Sequence, residues 1–211
     1  MTMPKIVGVS ERKVRDKAPP ETERIKPHKW LSKDSLDKYY STELKGFDMY
    51  LSKLAEEKIR NHAISRLEPR TEIMGLLLGT VYRHHEREYV LVRDVVTTDL
   101  DASLVSVRFD RHGFEKLFES LDDSGFDYVI VGWYHSHPGH GCFLSQTDVD
   151  TQTSMFNRPF HSALVIDPVN MEIETFRVEN GRSYHRPFAV YWDEFQNPYY
   201  GESVRKRQLK E

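Results

Sequence analysis

The strongest constraint on the fold is a β-prone run that ends abruptly in two histidines. Residues 126–135 read FDYVIVGWYH, and β-branched and aromatic side chains of this kind favour an extended strand. Pro138 and Gly139 follow almost at once and predict the end of that strand. Because side chains two positions apart on a strand point to the same side, His135 and His137 are expected to converge there.

The remaining patterns alternate helices with strands. Leu51, Ala55, Ile59 and Ala63 recur at helical spacing, with Ser52 as an N-cap. Further helices are predicted over residues 35–45, 114–121 and 145–156, and strands over residues 72–82, 89–96, 161–167, 171–178 and 182–191. Residues 83–88, RHHERE, predict a polar turn, and Asn180-Gly181 predicts a two-residue hairpin. This order predicts an α/β (α+β) fold with a mixed sheet flanked by helices.

The chain is interpreted as one domain with two extensions. Residues 1–46 carry 11 Lys/Arg and 7 Asp/Glu and few apolar side chains, which predicts a partly flexible N-terminal extension, with residues 1–28 as a mobile or extended arm. The alternative is an arm that docks on a partner or on its own domain through Trp30, Tyr39 and Tyr40. The domain proper is placed at residues 47–190, and residues 191–211 form a C-terminal tail.

Composition excludes several classes of function. A net charge of −3 argues against electrostatic binding to nucleic acid by the whole chain. No apolar run reaches the length of a membrane span, and the N-terminus lacks the apolar core of a secretory signal. A single cysteine, Cys142, allows no disulfide within the chain and favours a reducing interior. We therefore expect a cytoplasmic protein, with the nucleus also possible in a eukaryote.

Asp148 follows the two histidines at the start of a predicted helix and completes a candidate metal site. Two imidazoles and one carboxylate form a plausible zinc set, and three protein ligands leave one tetrahedral position open, as in catalytic sites. Ser145 and Asp148 also match a helix capping box, so capping alone remains an alternative. Each histidine could equally be an ordinary polar residue at a strand end.

The pattern H-S-H-P-x6-S-x-x-D, which runs from His135 to Asp148, resembles that of the JAMM (MPN+) zinc proteases. The segment EIMGLLLG, residues 72–79, is similar to the part of that family that carries its upstream glutamate. The resemblance covers about residues 47–190 and is strongest to the proteasome-lid and signalosome-type deubiquitinases.

This resemblance implies a role for each matching residue. His135, His137 and Asp148 would hold one Zn²⁺ per chain. Glu72 would act as general base and then as acid to the leaving amine, and Ser145 would donate a hydrogen bond to the oxyanion. From the sequence alone, Glu72 is only an acidic residue before a strand.

The same resemblance places a substrate groove near residues 97–108, TTDLDASLVSVR, which could pair with an extended peptide by strand addition. His140 and Phe143 flank the metal and replace the family's usual aromatic residue and tryptophan, and Gln146 replaces a small residue. The chain has no second insertion near residues 167–170, so the linkage preferences of relatives do not carry over. The implied groove residues are Thr98, Asp99, Ser103, Leu104, Val105, Ser106, Val107, His140 and Phe143.

The leading hypothesis is a zinc isopeptidase that removes ubiquitin or a ubiquitin-like modifier from lysines, linked to proteasomal degradation. Alternatives are a protease that processes the tail of a small sulfur carrier and a non-catalytic scaffold subunit. Expected partners are the modifier and a sister MPN subunit or proteasome-type assembly. A zinc deaminase requires a P-C-x-x-C pair that one cysteine cannot supply, and no spacing supports Cys142 as a protease nucleophile.

Overall fold

The computed structural model describes residues 14–68, 70–97 and 129–192. Within those ranges the chain forms three α-helices and ten strands. The helices are α1 (Lys33–Thr42), α2 (Lys53–Ser65) and α3 (Gln146–Met155). The strands are β1 (Arg15–Asp16), β2 (Ile25–Lys26), β3 (Met49–Ser52), β4 (Met74–His84), β5 (Arg87–Thr97), β6 (Val129–Ser136), β7 (Ser162–Asp167), β8 (Glu172–Glu179), β9 (Arg182–Arg186) and β10 (Ala189–Tyr191).

All ten strands belong to one mixed sheet. Its order is β2-β10-β3-β5-β4-β6-β7-β8-β9, and β1 pairs alongside β4. β3 runs parallel to both β5 and β10, and β6 runs parallel to β7. Only Pro187 and Phe188 separate β9 from β10, although six strands lie between these two in the sheet. Three residue steps span about 10 Å at most, so the sheet must curl until its ends approach each other.

Each face of the sheet packs against a helix. α2 contributes Ala55, Ile59 and Ala63 to one apolar cluster, together with side chains such as Leu77 and Tyr134. α3 contributes Val149 to the cluster on the other face, which contains Trp133 and Val165. The pairing of β6 with β4 shifts register between Leu77 and Leu78, opposite Val131. This bulge changes the alternation along β6, so Ile130 and Trp133 lie in the same cluster although they are three positions apart.

The described part of the N-terminal region packs on the sheet. β1 and β2 are strands of that sheet, Tyr39 is 2% exposed, and Trp30 packs against the core. Residues 14–46 thus pack on the chain's own domain, as in the docked-arm alternative, and Tyr40 is 58% exposed with its ring against that of Tyr39. The boundary between residues 46 and 47 remains a prediction, and strands from both sides of it share one sheet.

Some predicted elements need correction. Leu51 belongs to β3, and the helix begins two residues later, after its N-cap Ser52. The polar turn expected at residues 83–88 is only His85-Glu86, because β4 and β5 continue to either side of it. Both turn residues have positive φ, which gives the compact two-residue hairpin that matches strand twist. The hairpin at Asn180-Gly181 is present, and the helix predicted over residues 114–121 lies outside the described residues.

Among the described residues, no helix is long and apolar enough to cross a membrane.

Candidate metal centre

The end of β6 and the start of α3 bring three candidate ligands together. The Nε2 atoms of His135 and His137 lie 3.1 Å apart. Oδ2 of Asp148 lies 3.5 Å from Nε2 of His135 and 3.7 Å from Nε2 of His137. One ligand atom from each residue falls within 4.8 Å of the others, and all three residues are buried. The three residues predicted from the sequence thus form a single cluster.

Backbone pairing fixes the two histidines. β6 lies between β4 and β7, and His135 faces Met74 on one side and Val165 on the other. The amide of His137 donates to the carbonyl of Ile166 at 3.0 Å, which holds this residue just beyond the strand end. Both imidazoles are therefore carried by backbone in the middle of the sheet, which is its most constrained part.

Ser145 and Asp148 form a complete capping box. The backbone N–H and the hydroxyl of Ser145 each donate to Oδ2 of Asp148 at 2.7 Å, and the Asp148 amide donates back to Ser145 Oγ at 3.3 Å. Capping and a role in the site are therefore compatible. Burial alone would raise the pKa of the Asp148 carboxyl, but the neighbouring imidazoles of His135 and His137 hold it far below its usual range. This carboxyl is an anionic acceptor at neutral pH.

The donor set suits a cation. Burial lowers the pKa of the His135 imidazole, which favours the neutral ring that metals bind. Within the described part of the chain, the buried Nδ1 atoms of His135 and His137 have no hydrogen-bond partner. If Nδ1 carries the proton in each ring, two Nε2 lone pairs and one carboxylate oxygen point at one small volume. A positive ion is the natural occupant of such a volume.

The cluster forms one wall of a pocket of about 210 Å³. Glu72 precedes β4, is exposed, and contributes to this pocket beside the cluster. Ser145, His140 and Phe143 also line it, and Phe143 packs against the ring of His137 with centroids 4.6 Å apart. The structure therefore places the predicted general base, hydroxyl donor and two groove residues in the same opening.

Other predicted residues lie elsewhere. Thr98, Asp99 and the five residues Ser103–Val107 are outside the described residues. Cys142 is absent from the pocket lining, and its thiol donates to the carbonyl of Val165 at 3.3 Å. Burial raises the pKa of this thiol, which makes it inert as a nucleophile and consistent with packing.

Three residues that line the pocket had no assigned role in the sequence: Met74, Trp133 and Thr147. Trp133 lies two positions before His135, so strand alternation was a usable signal for placing it on the same side. Its indole stacks on the His135 imidazole with centroids 4.5 Å apart and an angle of 14° between the planes.

Asp167 holds the loop that follows His137. Its Oδ1 accepts from the amides of Gly139 at 2.9 Å, Val169 at 2.9 Å and Asn170 at 3.0 Å. Its Oδ2 accepts from the amide of Gly141 at 2.7 Å and from the Asn170 side chain at 2.8 Å. Burial alone would raise the pKa of Asp167, but these bonds lower it. The loop that presents His140 and Phe143 to the pocket is thus anchored by one carboxylate.

Fold and site together define a JAB/MPN domain with a candidate metal centre. Residues 46–158, more than half of the chain, match the family described as JAB1/Mov34/MPN/PAD-1 ubiquitin protease. The chain belongs to that family, which confirms the resemblance and the fold class predicted from the sequence.

Known proteins add a finer comparison. COP9 signalosome complex subunit 5 of Debaryomyces hansenii is 35% identical over 154 residues, which cover 71% of this chain and 30% of that protein. The 26S proteasome regulatory subunit RPN11 of Eremothecium gossypii is 38% identical, covering 62% of this chain and 42% of that protein. Ubiquitin carboxyl-terminal hydrolase RPN11 of Saccharomyces cerevisiae is 36% identical, covering 62% and 43%. The chain thus spans less than half the length of these relatives.

The fold also matches a solved structure. The solution structure of a Desulfitobacterium hafniense protein matches 69% of this chain and 94% of its own length with a TM-score of 0.50. The sequence identity is 20%, so this likeness concerns the fold alone.

Proposed function

We propose that this protein is a zinc-dependent isopeptidase that removes ubiquitin or a ubiquitin-like modifier from protein lysines. The observation that carries the proposal is the buried cluster of His135, His137 and Asp148, which opens into a pocket beside the Glu72 carboxylate. The names of two relatives, a proteasome regulatory subunit and a ubiquitin carboxyl-terminal hydrolase, support this substrate class and a link to proteasomal degradation.

The donor set fits zinc. Imidazole and carboxylate are common zinc ligands, and three protein ligands leave a fourth position for water, as in catalytic sites. When bound, zinc supplies a Lewis acid and can lower the pKa of a water molecule to about 7. His135, His137 and Asp148 would hold one ion per chain, and the neutral imidazole and anionic carboxylate favoured by the local pKa directions are the forms that bind it.

Glu72 is proposed as the general base. A carboxylate at the mouth of the pocket can take a proton from the attacking water and later deliver it to the lysine amine that leaves. Without that proton the lysine nitrogen would be a poor leaving group. Because Glu72 is solvent-exposed and not a ligand, its replacement should abolish the proton transfer and leave the ligand cluster in place.

Ser145 is proposed to stabilise the charge that develops on the carbonyl oxygen. Its hydroxyl donates to Oδ2 of Asp148 in this structure, so the hydrogen has to rotate toward the substrate oxygen during the reaction. The backbone amide of Ser145 would keep its own bond to Asp148 throughout. One residue could then hold a ligand carboxylate and donate to the oxyanion in turn.

The finer identity of substrate and partners belongs to the proposal as well. Relatives are named as subunits of the proteasome and of the COP9 signalosome, which supports a place for this chain beside a sister MPN subunit in such an assembly. A cytoplasmic location, or a nuclear one in a eukaryote, accords with those relatives. Processing of a small sulfur carrier and a scaffold role remain the alternatives, and the experiment separates them.

The test is cleavage of two substrates, a ubiquitin-like isopeptide conjugate and a carrier with a C-terminal peptide extension, each with zinc present and with zinc removed by a chelator. We expect the isopeptide conjugate to be cut, and both chelation and Glu72→Gln to abolish cutting. Glu68→Gln, a substitution at an exposed position four residues earlier, serves as the matched control and should keep activity. Cleavage of the carrier alone would favour the sulfur-carrier alternative, and a chain that binds no zinc would favour the scaffold. One bound zinc without any cleavage would indicate a wrong modifier or a missing partner.

A further inference from the structure

We propose that Gln152 is a positioning residue for the metal centre, acting through Trp133 on the imidazole of His135. The inference rests on the proposed function only in assuming that the cluster binds a metal ion. Neither residue is a candidate ligand; Trp133 lines the pocket, and Gln152 lies outside the pocket lining.

The same helix and the same strand are joined twice. Asp148 and Gln152 are four positions apart on α3 and therefore lie on one face of it, on successive turns. Trp133 and His135 are two positions apart on β6 and project to one side. In the first contact, Oδ2 of Asp148 lies 3.5 Å from Nε2 of His135. In the second, one helical turn later, the indole N–H of Trp133 donates to Oε1 of Gln152 at 2.7 Å. The contact between Trp133 and Gln152 therefore sets the distance between α3 and β6 at which Asp148 and His135 face each other.

The Gln152 amide has one possible orientation. Its Nε2 donates to the carbonyl of Phe156 at 2.8 Å, at the C-terminal end of α3. The Oε1 atom therefore faces the indole, and both Gln152 (4% exposed) and Trp133 (1% exposed) are shielded from water. Loss of the bond from the Trp133 indole to Oε1 of Gln152 would leave the buried indole N–H without a partner, which favours a shift of the Trp133 ring.

The Trp133 indole restrains the orientation of the His135 ring, which in metal sites is usually done by a hydrogen bond. Metal-binding imidazoles normally donate their second N–H to a carboxylate or carbonyl that fixes the ring. Nδ1 of His135 has no such partner among the residues that the structure describes. Instead, the Trp133 ring lies against it at 4.5 Å and 14°, and the same indole stacks on Phe156 at 5.7 Å and 14°. Stacking thus restrains the orientation of the His135 ring from the side of the indole, in addition to the contact of its Nε2 with Nε2 of His137.

The experiment measures metal affinity rather than turnover. Gln152→Met keeps the length of the side chain and removes its three hydrogen bonds, to the Trp133 indole and to the carbonyls of Phe156 and His161. Gln146→Met makes the same change at an exposed position of α3 outside the pocket lining. Zn²⁺ dissociation constants are measured by competition with a chromophoric chelator, and the visible spectrum of the Co²⁺-loaded protein reports ligand geometry. We expect Gln152→Met to bind about 10–100-fold more weakly with an altered Co²⁺ spectrum, and Gln146→Met to match wild type.

A second variant isolates the hydrogen bond. Trp133→Phe keeps a ring against His135 but has no N–H, so it should weaken metal binding as well. Both substitutions remove the bond between Trp133 and Gln152. The Zn²⁺ dissociation constant of the double variant should therefore be no higher than the higher of the two single-variant values. If Gln152→Met does not fold, Trp133→Phe decides the question by itself.

Two results would overturn the inference: wild-type metal affinity in the variants, or a lower unfolding free energy of the metal-free protein with unchanged affinity. The second result would make the contact merely structural. These failures differ from failure of the proposed function, in which wild-type protein binds one zinc ion, the variants lose affinity as expected, and no conjugate is cut. A wild-type chain that binds no metal would overturn both.

Discussion

Asp167 accepts five hydrogen bonds and is fully buried. Replacement of one of its carboxylate oxygens should therefore alter the conformation of the whole loop that follows His137. The loop contains two glycines with positive φ, Gly139 and Gly141, whose amides both point at this carboxylate. Glycine supplies the backbone conformation, and the carboxylate supplies the anchor that keeps it.

The first prediction concerns Asp167→Asn. The asparagine amide keeps one accepting oxygen and has an NH2 group in place of the other. The hydrogen bonds that the second oxygen accepts are lost, because N–H groups then point at N–H groups. We expect isopeptidase kcat/KM to fall about tenfold (about 1.4 kcal/mol), with one zinc still bound per chain because no ligand is touched.

Asn170→Ala is its control, because it removes one side-chain donor and leaves the bonds to Gly139 and Gly141. Steady-state kinetics and metal analysis on the two variants check the prediction. Loss of zinc from Asp167→Asn would contradict it, since the carboxylate would then support the ligands themselves.

The candidate ligands were predictable at the residue scale, and the residues that support them were not. His135, His137 and Asp148 follow from strand alternation and a capping pattern, which are local rules. Glu72 required the family resemblance, because an exposed acid before a strand carries no periodic signal. Gln152 was within reach of the i, i+4 rule, but only the structure shows that its partner is an indole nitrogen 19 positions earlier.

At the scale of elements, α2 is tied to the N-terminal region by a buried charge. Glu56 is 1% exposed and accepts from Nε2 of His28 at 2.9 Å, from Nε of Arg60 at 3.0 Å and from the Lys53 ammonium. The amide of Trp30 donates to Nδ1 of His28, which leaves Nε2 as the protonated nitrogen. Burial alone would raise the pKa of Glu56, but these donors lower it to about 2 from its ordinary 4.5.

The second prediction follows from that pKa. A carboxyl whose pKa is lowered on folding stabilises the protein above its ordinary pKa, and this contribution disappears as pH falls through the folded value. At about 1.4 kcal/mol per pKa unit, Glu56 should account for roughly 3 kcal/mol of unfolding free energy that is lost between about pH 5 and pH 2.

Urea unfolding from pH 7 to pH 2 measures this loss. Glu56→Gln should be less stable at pH 7 and should show a flatter pH dependence over that interval. Glu57→Gln, which changes the neighbouring and half-exposed carboxyl, should follow the wild-type curve. Parallel curves for wild type and Glu56→Gln would contradict the assignment.

Long elements were predictable and short ones were not. β4, β5, β6 and α3 carry enough residues for a hydrophobic period, and the capping box marks where α3 begins. β1, β2 and β3 have two to four residues each, too few for any period, and exist because neighbouring strands offer unpaired edges. β10 was predicted only as the end of one strand over residues 182–191, which Pro187 and Phe188 divide into β9 and β10. Polar residues 83 and 84 continue β4 because their backbone pairs with β5, whatever their side chains prefer.

At the scale of the whole molecule, the N-terminal region bridges the two ends of the curled sheet. Ser35 on α1 donates to the buried carboxylate of Glu174 on β8, which also pairs with His185 on β9. β2 pairs with β10 at the opposite end of the sheet. Composition suggested a solvated extension, because charged residues dominate it, yet a few apolar and hydrogen-bonding side chains decide where it lies.

The third prediction is that the domain needs this region. A chain that begins at residue 47 loses β1, β2 and α1, removes His28 from Glu56, and uncovers the side of β10 that β2 occupies. We expect its unfolding free energy to fall by at least about 1.5 kcal/mol, the lower end of the range for one hydrogen bond to a charged group.

A chain that begins at residue 14 keeps every contact described here and is the control. Urea denaturation and hydrogen exchange on both truncations provide the measurement. Equal stability of the two would show that residues 14–46 rest on the sheet without supporting it.

The most direct test of the proposed metal centre is X-ray absorption at the zinc edge on the purified 211-residue chain loaded with zinc, beside Asp148→Asn. One zinc per chain is expected in wild type, with two imidazole nitrogens at about 2.0–2.1 Å and oxygen ligands at about 2.0–2.2 Å, and weakened or absent binding in the variant. Absence of zinc from wild type, or a sulfur ligand from Cys142, would contradict the central claim that His135, His137 and Asp148 form the metal centre.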